Sequence, residues 1–178
     1  MFRLKESVHV QAPAERCFLL STSIALVERT IGLKPVEGKT EGLIVGGDRL
    51  VWRGWKFGLP AMHETLITRY EPGTFFQDTM GRGRFRHFQH DHHFTTIAGQ
   101  TLMSDEVRFS LPFGFAGHLV AKTIVVPHVL ALMKRRLEML KSIAEGNDWQ
   151  QYLNVQPAHS QDARTDKPEV QPDTRQTA

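Results

Sequence analysis

The stretch RFRHFQHDHHFTTIAGQTLMSDEVRFSL, residues 84–111, decides the fold. Residues 84–97 read as a strand, on which alternate side chains share a face: Phe88, His90, His92 and Phe94 look one way, and His87, Gln89, Asp91, His93 and Thr95 the other. The set that carries the aromatics faces the core. Ala98-Gly99 is a two-residue turn that pairs Ile97 with Gln100 and returns residues 101–111 as an antiparallel neighbour. That register sets His92 opposite Asp105, Phe94 opposite Met103, His90 opposite Val107 and Phe88 opposite Phe109, so all eight line one inner wall.

Working outward, residues 48–57, 61–70 and 74–80 are further strands, separated by turn chemistry at Gly58-Leu59-Pro60, Pro72-Gly73 and Gly81-Arg82-Gly83. Connections this short make antiparallel neighbours. Residues 34–38 carry a weaker strand signal. At the N-terminus Phe2, Leu4, Val8 and Val10 alternate with polar residues as a half-buried strand. Pro13 suits the first turn of a helix over 14–20, and a second helix over 24–31 follows Ser23 and stops at Gly32.

After Pro112 the period changes from two to between three and four. Leu119, Val126, Val129, Leu130, Met133, Leu137, Leu140 and Ala144 mark one face of a long helix over 118–144, with a bend expected at Pro127 and a stop at Gly146. Strand, two short helices, meander and long terminal helix predict an α+β domain in which a curved antiparallel sheet wraps around the C-terminal helix and leaves a cavity between them. The domain is expected over 1–146 and a largely disordered tail over 147–178. From residue 154 onward the chain has three prolines, four glutamines and no aromatic residue, too little apolar surface to offset its ordering entropy.

Composition narrows the function classes. The net charge of +3 is modest and its cations are scattered in short clusters, which argues against nucleic acid. The single Cys17 cannot form an internal disulfide, so a reducing, cytoplasmic location is expected. The N-terminus lacks the pattern of a signal peptide, and the apolar stretches read as too short for a transmembrane segment. Lys134-Arg135-Arg136 reads as the solvated side of the helix.

The succession Trp52 after Gly47-Asp48, Tyr70-Glu71-Pro72, Phe76-x-Asp78, Gly83-x-Phe85, Phe88-x-His90-x-His92-x-Phe94, Asp105 and Leu111-Pro112-Phe113-Gly114 resembles the helix-grip superfamily called START-like or SRPBCC. Within it the chain is most similar to bacterial polyketide cyclase/dehydrase-like and cell-division-inhibitor-associated proteins. The resemblance implies the helix-grip fold and binding of a hydrophobic ligand, lipid-like or polyketide-like. Ring-closure or dehydration chemistry is the alternative, and an interaction module with a vestigial pocket is a third.

The residues expected to contact a ligand are Trp52, Phe76, Asp78, Phe88, His90, His92, Phe94, Met103, Asp105, Val107 and Phe109. Two imidazoles and a carboxylate on an apolar wall must satisfy one another. Asp105 is expected to accept a hydrogen bond from His92 and raise its basicity, which makes this pair the candidate catalytic residues. His90 and His92 lie about 7 Å apart on one strand face and chelate only if Asp105 or Asp78 converges on them. The oily surroundings favour no metal and no cofactor. His63 and Glu64 are neighbours on one strand and point to opposite faces. The oligomeric state is left open by the sequence.

Overall fold

The computed structural model describes residues 1–153; of the tail expected over 147–178, residues 154–178 lie outside the described residues. Seven strands form one antiparallel sheet: β1 (Phe2–Val10), β2 (Leu33–Gly38), β3 (Arg49–Lys56), β4 (Leu59–Glu71), β5 (Phe75–Met80), β6 (His87–Ile97) and β7 (Gln100–Ser110). Their spatial order is β1-β7-β6-β5-β4-β3-β2. Helices α1 (Ala14–Thr22) and α2 (Ile24–Ile31) bridge β1 and β2. Gly32 closes α2 in the left-handed conformation, as its position suggested.

The β6–β7 register is the expected one, with His92 opposite Asp105, Phe94 opposite Met103, His90 opposite Val107 and Phe88 opposite Phe109. It is pinned by Ala98 and Gly99, both left-handed, in the turn type whose twist matches that of the flanking strands. The β3–β4 turn differs from expectation. Lys56 pairs with Leu59 and Trp55 with Pro60, so the turn is Phe57-Gly58, and β4 starts at Leu59. Pro60 is tolerated in β4 because pairing with β5 begins only at Thr65.

The terminal helix starts at Gly114, four residues before the expected start, and runs to Glu145. It consists of α3 (Gly114–Val120), a π-helical turn (Ala121–Val125) and α4 (Val126–Glu145). The irregular turn lies just before Pro127, whose ring cannot accommodate a regular turn ahead of it. Gly117 is required where this helix leaves the sheet, because a Cβ there would run into the Pro112 carbonyl. With 32 residues and an 18-residue window of mean hydropathy 1.5, the helix is long and apolar enough, by length and composition alone, to cross a membrane. That corrects the expectation that the apolar stretches are too short.

Along α4, Val129, Met133, Leu137, Leu140 and Ala144 are buried against the rest of the fold. The C-terminal half of the cup is filled. Phe18 of α1 meets Tyr70, Phe76 and Phe94 edge-on, and Met103, Leu137 and Leu140 complete that cluster. Burying a side chain such as Phe18 contributes about 1.5–3 kcal/mol. Packing also continues beyond Gly146. Trp149 lies under the Arg16 guanidinium at 4.3 Å, and the Tyr152 hydroxyl, in α5 (Gln150–Leu153), accepts a hydrogen bond from Arg29.

Candidate functional site

The other half of the cup is hollow. A cavity of about 860 Å³ lies between the sheet and the first half of the terminal helix, with a lining that is overwhelmingly apolar. Its sheet wall includes Phe88, His90 and Val107, and its helix wall includes Val125, Val129, Leu132 and Met133. The polar groups on it are few, chiefly His63, Arg84, His90, His128 and Arg136.

The residues singled out in the sequence divide into three groups. Phe88, His90 and Val107 line the cavity. Asp78, partly buried, and His92 and Asp105, both buried, form a cluster next to His90. Trp52, Phe76, Phe94, Met103 and Phe109 are packed in core clusters and do not line the cavity themselves. Trp52 instead donates its indole N–H to Thr65.

The cluster is built by two sheet rows. Asp78, His90 and Val107 form one row across β5, β6 and β7, and Phe76, His92 and Asp105 form the next. The His92 ring stacks on Phe76 at 4.1 Å between centroids. Its Nδ1 lies 2.8 Å from an Asp105 oxygen and its Nε2 lies 3.1 Å from an Asp78 oxygen. Two carboxylates at hydrogen-bond distance from the two ring nitrogens require both nitrogens to donate, which is the imidazolium form. Burial opposes that charge, but the two carboxylates outweigh it and raise the His92 value above the ordinary 6.5. Burial likewise works against Asp105, and the two imidazoles overcome it to hold its carboxyl well below the usual range.

His90 sits differently, with Asp105 at 3.5 Å and Asp78 at 3.8 Å, both too long for good hydrogen bonds. Burial and then the neighbouring His92 charge pull its value below 6.5, so His90 faces the cavity as a neutral imidazole. His63, on β4 with its ring edge-on to Phe88 at 5.4 Å, is pulled down in the same direction by burial.

The residue that sequence reading misses is Arg136. Lys134 and Arg135 are exposed, in keeping with solvated charge, but Arg136 is buried, which corrects the expectation for the third member of the run. Its Nη2 donates to the Ser21 carbonyl at 2.8 Å, and its Nε lies 3.9 Å from Asp105. The signal is present in the spacing: Arg136 follows Val129 by two helical turns and so falls on the buried stripe. Burial lowers its value, but a guanidinium stays charged. Two carboxylates are thus balanced by one imidazolium and one guanidinium.

Asp78, His90 and His92 also bring one donor atom each within 4.8 Å of one another, the donor set of a small cation site. The balance just described supplies the counter-charge such an ion would bring, while Asp105 Oδ2, His90 Nε2 and Arg136 Nε stay buried without a hydrogen-bond partner.

The cluster makes stability depend on pH. His92, raised above 6.5, adds stability that is complete below that value and is lost as the pH climbs through its higher folded value. Asp78 and Asp105, held below 3.8, add stability that is present above that value and lost as the pH falls through their lower folded values. The thermal midpoint of the wild type is therefore expected to decline on the alkaline side of neutrality, and His92→Gln to be less stable with a flatter alkaline limb. Parallel limbs in a calorimetric pH series would remove the charge from His92.

No protein-family model and no curated protein matches the sequence. Solved structures do match its fold. A START superfamily protein from Mycobacterium smegmatis superposes with a TM-score of 0.59 at 12% identity, covering 79% of this chain and 97% of that one. A protein from Thermus thermophilus gives 0.55 at 14% identity over 85% and 97% of the two chains. The ginseng major latex-like protein 151 from Panax ginseng gives 0.52 at 12% identity over 79% and 97%. These superpositions, with a curved antiparallel sheet and a long terminal helix, show that the chain has a START-like helix-grip fold.

Proposed function

We propose that this chain binds an apolar small molecule, lipid-like or polyketide-like, that carries a neutral oxygen at one end. The cavity of about 860 Å³ carries this reading, because its size and apolar lining suit a ligand of that kind. The charge balance behind His90 selects the head group. A carboxylate would add an unmatched negative charge to a neutral buried cluster, whereas a hydroxyl or carbonyl accepts a hydrogen bond from Arg136 or His90 without disturbing it. His92 and Asp105 then act as positioning groups that hold His90 against the cavity.

Displacement of a bound fluorescent apolar dye tests this. A long-chain alcohol is expected to compete better than the alkane of the same length. Arg136→Met, folded as judged by circular dichroism, is expected to weaken the alcohol about tenfold, the size of one hydrogen bond to a charged group, and to leave the alkane unchanged. Equal losses for both probes would deny Arg136 any part in head-group recognition.

His90 supports a second reading, a ring-closing or dehydrating enzyme in the same cavity. A neutral imidazole on an apolar wall suits a general base. Turnover of an oxygenated substrate that disappears in His90→Gln while alcohol binding persists would favour it.

A further inference from the structure

Three segments meet at the mouth of the cavity: the β3–β4 turn, the loop over residues 81–86, and the start of the terminal helix. Lys56 and Phe57, Arg84 and Phe85, and Phe113 and Val120 from these segments all line it. The outer surface here is strongly apolar. Phe113 and Phe115 are 85% and 84% exposed, Trp55 and Phe57 are 68% and 62% exposed, and Leu59 and Leu119 are each more than half exposed. Apolar patches of this kind mark a contact surface.

Backbone chemistry sharpens the point. Phe57 and Phe113 both have positive φ, 54° and 72°, and each precedes a glycine that is also left-handed. Asparagine or glycine suits such positions, and phenylalanine is disfavoured there by its Cβ. Phe57 meets His128 edge-on at 4.8 Å, but most of both rings stays exposed at strained positions, which points to a partner.

Charge identifies that partner. No Asp or Glu occurs between Arg49 and His63, between Thr79 and His90, or between Val107 and Leu137, so the segments around the mouth carry cations alone. Arg53, Lys56, Arg84, Arg86 and Lys122 form no ion pair among the described residues. Burial, and then the nearby Arg135, pull the Lys56 ammonium value down. A second copy of this chain would set cations against cations. An anionic lipid surface accepts both the rings and the charges.

We propose that the cavity mouth docks on bilayers containing anionic lipid, with the exposed aromatic residues at the headgroup level and Lys56, Arg84 and Lys122 facing lipid phosphates. Docking would bring the open end of the cavity to the membrane. It goes beyond ligand binding and does not require the cavity to be occupied.

Vesicle flotation of the full chain tests the proposal, with phosphatidylcholine alone and with phosphatidylcholine mixed with phosphatidylglycerol. The wild type is expected to float with the mixed vesicles and to be released by high salt. Trp55→Ser combined with Phe115→Ser, and separately Lys122→Glu, are expected to weaken flotation by at least about tenfold. These side chains lie outside the cavity lining, so dye uptake from solution is expected to be unchanged. Flotation that persists when dye uptake fails would sink the cavity reading and leave docking standing. The proposal is overturned if the wild type ignores mixed vesicles or if the variants float as well as the wild type. A dimer in free solution whose mouth is protected from hydrogen exchange would also overturn it, by giving this face to a second copy.

Discussion

Asp105→Ala is expected to destabilise the fold by about 3–5 kcal/mol, the effect of breaking a buried charge pair from one side. Asp105 lies against His92 at 2.8 Å, His90 at 3.5 Å and Arg136 at 3.9 Å, and each of these partners is enclosed between sheet and helix. Truncation leaves a guanidinium and an imidazolium facing a single carboxylate, Asp78. His92 can shed its proton to limit the imbalance, so the deficit is expected to be greater at acidic than at alkaline pH. Asp105→Asn separates charge from size, since an amide keeps the volume and still accepts one hydrogen bond, and it is expected to fall between alanine and wild type. Urea unfolding followed by circular dichroism measures both variants. An alanine variant within about 0.5 kcal/mol of wild type would mean that the cluster contributes no more than an ordinary surface position.

Val129→Trp is expected to abolish ligand uptake while leaving the protein folded. Val129 stands on the buried stripe of α4 and lines the cavity, so a larger side chain there grows into empty space and avoids the usual penalty of overpacking. The indole displaces apolar contact from a ligand comparable to one buried aliphatic side chain. That corresponds to about a hundredfold loss of dye affinity. An unchanged melting temperature together with lost uptake is the expected pair of results. Undiminished uptake would place the ligand elsewhere and remove the cavity as the binding site.

Much of the fold was legible because local rules left little freedom. Alternation along residues 84–97 fixed which side chains face inward, and the Ala98-Gly99 turn fixed the partner of each on β7. His92 opposite Asp105 followed from those two facts alone. The helix start was less legible, since Gly114 and Gly117 look like loop residues until the left-handed backbone of the first and the close approach of the Pro112 carbonyl to the second explain them. The β3–β4 turn was placed at residues 58–60 and not at 57–58, because phenylalanine occupies a position whose backbone favours asparagine or glycine. That departure from local preference is itself part of the exposed patch at the cavity mouth.

What the sequence determined by itself was the order of elements, the inner face of the sheet and the β6–β7 register, because alternation and turn geometry act over a few residues. Tertiary structure decided which inward side chains pack and which face a void. Phe94, Met103 and Phe109 share the wall of Phe88, His90 and Val107, yet only the last three line the cavity. That difference depends on the summed volumes that α1 and the terminal helix bring against the sheet from remote parts of the chain. The same docking carries Arg136 inward to meet Asp105, an electrostatic balance that no spacing within either segment specifies.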